Sequence, residues 1–86
     1  MEGQLQVKIV NAAGVLYEGP AASISSVNNT GPFDILPLHT NFISLIKEKV
    51  TLRLKDGSNR EFALDDVGLI RNRANVVNIF LGFNLQ

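Results

Sequence analysis

Apolar and polar residues alternate along this chain with a period of two, in runs too short for helices. Leu5, Val7 and Ile9 alternate with Gln4, Gln6 and Lys8, and Val50, Leu52 and Leu54 with Thr51, Arg53 and Lys55. That period puts successive side chains on opposite faces of a pleat, so each run predicts a strand buried on one face. Turn formers separate the runs. Asn11-Ala12-Ala13-Gly14 precedes a second run at 15–18 and predicts a hairpin, and Asn28-Asn29-Thr30-Gly31-Pro32 follows a strand-like segment at 22–27. Asp56-Gly57, two residues that tolerate positive φ, turns the 50–55 run into 60–64, with Phe62 and Leu64 inward.

A short apolar segment occupies 42–46, and 67–70 follows Asp65-Asp66. A polar break covers 72–75, and 76–81 is apolar on both faces, which suits a central or covered strand. The one stretch with any helical look, 41–49, is too short and too β-branched. No repeat or linker interrupts the pattern. The residues predict one all-β domain spanning 1–86, a small antiparallel sandwich or barrel of eight to ten short strands.

Charge narrows the function classes. Eight basic and eight acidic residues cancel, whereas a nucleic-acid binder of this size usually carries a basic excess. Seven of the eight basic residues fall at or after Lys47, interleaved with Glu48, Asp56, Glu61, Asp65 and Asp66, as on a solvated sheet face. The chain has no cysteine, which excludes disulfides and thiolate metal sites and suits a reducing compartment. No apolar run approaches the ~20 residues of a spanning helix, and no signal pattern opens the chain. A soluble, cytoplasmic protein is expected.

The catalytic inventory is thin. One histidine and no cysteine exclude a Cys-His pair, and no nucleophile elbow accompanies His39 and Asp34. Asp65 and Asp66 would point to opposite faces of a strand, so a turn suits them better than a metal or acid–base pair. Gly14 and Gly57 are isolated turn glycines rather than a phosphate loop, and zinc or calcium spacing is absent. Neither an enzyme nor a cofactor is expected.

One segment stands apart. Residues 31–39 hold two of the three prolines and the only histidine. Pro32 and Pro37 each fix φ and restrict the residue before them, around an aliphatic Phe33-Asp34-Ile35-Leu36. His39 reads either as a backbone-tethering surface residue or as part of a stiffened docking loop, since pre-ordering reduces the entropy lost on binding.

Here the chain resembles the epsilon subunit of rotary F-type ATP synthases. Gly31-x-x-x-Ile35-Leu36-Pro37-x-His39 is similar to that family's Gly-Glu-x-Gly-Ile-Leu-Pro-Gly-His loop. Residues 5–10, followed by Gly14-Val15-Leu16-Tyr17-Glu18-Gly19, resemble its opening strand and Val-x-Tyr-x-Gly hairpin. Val50-Thr51-Leu52-Arg53 and Glu61-Phe62-Ala63 match its next hairpin, Val67-Gly68-Leu69 its Gly-Gly-Phe segment, and Asn75-x-Val77-x-Ile79 its final strand. Pro32, Asp34 and Leu38 depart from the family loop, where an acid and two glycines are usual, and Val67 stands at the first glycine of the pair.

The resemblance implies a flattened antiparallel sandwich of about ten strands and a non-catalytic rotor subunit. Such a subunit couples the gamma subunit to the c-ring during proton- or sodium-driven ATP synthesis, as a peripheral component at the cytoplasmic face of the inner (plasma) membrane. It further implies a ring-facing loop at Gly31, Pro32, Phe33, Asp34 and His39, and a gamma-facing side at Asn11 and Ser44. The family's C-terminal helical pair falls outside these 86 residues, so autoinhibition and nucleotide binding are not expected of them. The competing reading is a free-standing β-sandwich that binds a small ligand in an apolar pocket or a peptide along an unpaired edge strand.

Overall fold

The first alternating run forms β1 (Leu5–Asn11), with Leu5, Val7 and Ile9 buried and Gln6 and Lys8 exposed. A computed structural model describes residues 3–82. Beyond β1 it contains β2 (Gly14–Ala21), β3 (Ser23–Asn28), β4 (Gly31–Ile35), β5 (Phe42–Arg53), β6 (Asn59–Ala63), β7 (Gly68–Arg73) and β8 (Val76–Phe80). Hydrogen bonding runs β2-β1-β8-β7-β5-β3-β4, with β6 added on β5. The path never closes on itself, so the fold is an open all-β sandwich rather than a barrel.

The long strand β5 makes two layers from this path. Its first half, Phe42 to Ile46, pairs with β7 in one sheet; its second half, from Lys47, pairs with β3 and β6 in the other. Between them lies a bulge: Val27 faces Lys47 but Ser26 faces Val50, so Glu48 and Lys49 are extra. Glu48 takes φ 72°, a left-handed conformation that costs a non-glycine residue ~1 kcal/mol. Its carbonyl accepts Leu64 N–H at 2.9 Å, and the Lys49 carbonyl accepts Ser26 Oγ–H at 2.7 Å. Bulges bend a strand and increase its twist, and this one carries β5 across the corner.

Side chains from both layers fill one core. Leu5, Val7, Ile9, Ile70, Val77 and Ile79 come from the β5-first-half sheet, and Ile24, Ile35, Val50 and Leu52 from the other. Principal extents of 39 × 26 × 19 Å make the sandwich flat.

Three expectations are corrected. The described residues hold eight strands rather than about ten, because the runs at 42–46 and 50–55 are one strand continuing through the bulge. Residues 31–35, grouped with the docking loop, are strand β4. Its Pro32 is tolerated because β4 is an edge strand with a partner on one side only. And the sheet is not wholly antiparallel, since β1 and β8 run parallel, Gln6 facing Val76 and Val10 facing Phe80. Strand β8 lies between β1 and β7, the central position its two apolar faces predict.

Candidate functional site

The connection between β4 and β5 is where the stiff segment becomes a loop. Pro37 and Leu38 occupy the middle of a turn closed by His39 N–H donating to Leu36 O at 3.0 Å. Leu38 has φ 69°, as the third residue of a type II turn requires. Glycine takes that conformation without strain; leucine does not.

Three asparagines hold this loop against the β7–β8 hairpin. Leu38 N–H donates to Asn75 Oδ1 at 2.7 Å, and Ala74 N–H to Asn41 Oδ1 at 2.9 Å. Asn72, 1% exposed, donates Nδ2–H to Thr40 O at 3.1 Å and to His39 O at 3.3 Å. Ala74 and Asn75 have φ 52° and 67°, so a two-residue hairpin turn with both φ positive aims the Asn75 carboxamide at the loop. Sequence reasoning treated 72–75 as a polar break and missed this brace. The visible signal was the recurrence of asparagine at 41, 72 and 75 beside a strand end.

The expected site residues are dispersed over β4 and the loop. Gly31 opens β4 at φ 117°, after a turn in which Thr30 N–H and Oγ–H both donate to Asn28 Oδ1. Pro32 and Asp34 are exposed, and Asp34 Oδ1 accepts Ser25 Oγ–H at 2.6 Å. Phe33 and His39 are brought together through Phe42, which the sequence marked only as a strand start. The Phe33 ring meets Phe42 edge-on at 5.7 Å, and the His39 ring lies 5.2 Å from Phe42. His39 is exposed, with Nδ1 2.9 Å from Thr40 O.

Asn11 and Ser44 lie elsewhere. Asn11 caps the β1–β2 turn, its Oδ1 accepting Ala13 N–H at 2.9 Å. It stands at the end of its sheet opposite the loop, since the loop end is marked by Gln6 and Val76. Ser44 is half-buried on the inner face, accepting Asn28 Nδ2–H at 3.3 Å and donating to Leu45 O. The outward side chains of that strand are Ile43, 60% exposed, and Leu45, 53% exposed.

These two begin an apolar band. Strand register lines up Leu45, Leu69, Phe80, Val10 and Val15 across the outer face of the five-stranded sheet. The neighbouring row is Ile43, Arg71, Asn78, Lys8 and Glu18, with Arg73 one row further toward the loop. Among the described residues, Arg71 and Arg73 make no ion pair. The broad outer face is therefore apolar at the Asn11 end and basic toward the loop.

A family model for the ATP synthase delta/epsilon chain, β-sandwich domain, matches residues 4–81. The chain belongs to that family. It is 29% identical over 62 residues to the ATP synthase epsilon chain of a Nitratiruptor species, covering 71% of this chain and 48% of that one. It thus spans about half the length of that relative. The fold is similar to a chain in the cryo-EM structure of the Euglena gracilis mitochondrial ATP synthase, OSCP/F1/c-ring (TM-score 0.84, 17% identity, 92% of this chain and 51% of that one). It is also similar to a chain in the central stalk/c-ring structure of the Tetrahymena thermophila mitochondrial enzyme (TM-score 0.72, 15% identity, 90% and 62%).

Two delta/epsilon-like motifs acquire physical reasons here. In the Val15-Leu16-Tyr17-Glu18-Gly19 hairpin, the Tyr17 hydroxyl donates to Pro20 O at 2.6 Å, and a Cβ on Gly19 would stand 3.4 Å from it. In Val67-Gly68-Leu69, Val67 is partly exposed and accommodates a side chain. Gly68 does not: a Cβ there would lie 2.9 Å from Leu64 Cδ2 and 3.0 Å from Phe80 O.

Proposed function

We propose that this delta/epsilon domain is a non-catalytic, epsilon-like subunit of the central stalk of an F-type ATP synthase, where it joins the gamma subunit to the c-ring. The observation that carries this reading is the family match over 4–81. The braced loop at one end, with Phe33, Asp34 and His39 nearby, suits the ring. The apolar band through Leu45, Leu69 and Val15 suits gamma, with Asn11 at its border and Ser44 beneath it. No helix among the described residues is long and apolar enough to cross a membrane, in keeping with a peripheral subunit held at the membrane face by its partners.

The mechanism is mechanical. A close-packed sandwich deforms little, because any shear between its layers sacrifices contacts throughout the shared core. Torque entering at one surface is passed to the other with small loss. The bulged β5 strengthens this coupling, since one covalent strand belongs to both layers.

The test is binding of the purified protein to isolated gamma and to the detergent-solubilised c-ring. Micromolar or tighter association with either supports the reading, and failure with both overturns it. A second reading, a small-ligand module, is favoured by a cleft of about 370 Å³ between the sheet edges, lined by Leu16, Phe62 and Leu81 together with Glu61 and Asp65. That volume lies at the lower end of ligand sites. Ligand-induced shifts confined to those residues, with no gamma or ring binding, would decide for it.

A further inference from the structure

The turn 36–39 sets two local demands against each other. Pro37 suits the second position of a type I and of a type II turn alike, because both ask for φ near about −60°. Leu38 is at ease in only one of them. A type I turn gives the third residue an ordinary negative φ, yet Leu38 holds 69°, a value that glycine reaches without strain. The bond that closes the turn, His39 N–H to Leu36 O, is common to both types and does not choose between them. The bond that chooses is Leu38 N–H to Asn75 Oδ1 at 2.7 Å. Turning the 37–38 peptide over points that N–H away from Asn75. The strain of a left-handed leucine and the net worth of one hydrogen bond are similar in size, so the two forms lie close in free energy.

Asn75 has the chemistry to serve both forms. Its backbone is pinned, Gln6 N–H donating to Asn75 O at 2.8 Å, while its Nδ2 has no acceptor among the described residues. When a peptide turns over, its C=O comes to where its N–H pointed. A carboxamide answers that exchange by rotating, since it carries a donor and an acceptor on one carbon. We propose that the Pro37–Leu38 peptide is a two-position switch latched by Asn75. In the type II form Asn75 Oδ1 accepts from Leu38 N–H; in the type I form Asn75 Nδ2–H donates to Pro37 O. The flip is local. It turns ψ of Pro37 by about 150° and φ of Leu38 by about 160° in the opposite sense, and leaves the chain ends in place. Asn72 holds the His39 and Thr40 carbonyls, and Asn41 holds Ala74 N–H, in either position. What changes is the surface. Leu38 is 78% exposed and swings its side chain to a new direction, so any contact it makes belongs to one form. A partner that grips one form draws the population to it. The switch is a property of the chain itself and holds whatever the loop contacts.

NMR on the 86-residue protein reads the two forms directly. In a type II turn the Pro37 Hα lies close to the Leu38 amide proton and gives a strong nuclear Overhauser peak; in type I that peak is weak. Relaxation dispersion or saturation transfer at the Leu38 and His39 amides and the Asn75 carboxamide measures the minor form, expected at about 1–10% in the wild type. Leu38→Gly removes the strain that favours type I. Asn75→Asp leaves an oxygen that accepts but, at neutral pH, nothing that donates. Each is expected to deplete the minor form about 3- to 10-fold. Asn75→Gly serves neither form and suits the left-handed backbone at that position, so the Pro37–Leu38 peak is expected to weaken as type I takes over. A wild type without a minor form, or one whose minor form persists undiminished in Leu38→Gly, overturns the switch. A minor form unchanged in Asn75→Asp overturns Asn75 as its latch. Neither failure touches the central-stalk reading, which is tested by binding.

Discussion

Asn75 reaches across 37 residues of sequence to accept the backbone N–H of Leu38 at 2.7 Å, so one turn of the sandwich holds the strained residue of another. Replacing Asn75 by glycine keeps a residue at ease with its φ of 67° and removes only the carboxamide. The expected loss is ~1 kcal/mol of stability, the usual net value of one hydrogen bond. It should be accompanied by faster amide exchange at Leu38. An unchanged exchange rate at Leu38 would show that the loop does not depend on this brace.

Gly68→Ala should destabilise the fold by ~1–3 kcal/mol through overpacking. The new methyl meets Leu64 Cδ2, Leu81 Cδ2 and a backbone oxygen, Phe80 O, which cannot rotate away. Urea unfolding reads the change directly. Val67→Gly is the matched control, with a loss well below that of Gly68→Ala, because Val67 is partly exposed.

Ser26→Ala should cost ~1–3 kcal/mol, although it removes a single oxygen. Ser26 is buried, and its hydroxyl is the donor to Lys49 O within the β5 bulge. Without it that carbonyl loses its side-chain donor at the point where the strand changes layers. A midpoint of unfolding within error of the wild type would mean that water satisfies the bulge equally well.

The Asp56-Gly57 turn should contribute a small acid-side dependence of stability. The Ser58 hydroxyl, and after it the Ser58 N–H, donate to Asp56 Oδ1 and hold the carboxyl below its ordinary value of 3.8. The folded chain then binds this proton less tightly than the unfolded chain does. Its stabilisation is complete above the unfolded value and fades as pH falls through the lowered folded one. Ser58→Ala should move the Asp56 midpoint upward in a carbon-detected NMR titration; a stationary midpoint would rule out the hydroxyl as the main cause.

Much of the fold was legible in the chain because alternation reports burial directly. Leu5, Val7 and Ile9 point inward as their spacing demands, and a turn does form at Asp56-Gly57, though within a longer connection, 54–58, in which Gly57 and not Asp56 takes positive φ. The corner in β5 was hidden by its own chemistry. Lys47-Glu48-Lys49 looks like a break between two strands, yet it is the bulge, and its polar groups are satisfied by partners distant in sequence, Ser26 and Leu64.

The candidate site was legible in outline only. Two prolines and a histidine located the loop. Its bracing depends on β7 lying beside β5, a pairing that no local pattern encodes. Asn72 shows the difficulty best: a polar residue at a strand end reads as solvent-facing, but the fold buries it under the loop it restrains. Likewise the outer apolar band exists only once five strands are in register, because each strand contributes one residue or so to it.

The parallel pairing of β1 with β8 sets a timetable for synthesis. Every other neighbour of a strand in this fold is joined antiparallel, and β1 meets β2 at once, but its second partner arrives about seventy residues later. On the ribosome the first hairpin emerges with an open flank and a half-covered apolar face, and both wait until β8 leaves the exit tunnel. Assembly with any partner that docks on that face is therefore expected to follow the emergence of β8 rather than precede it.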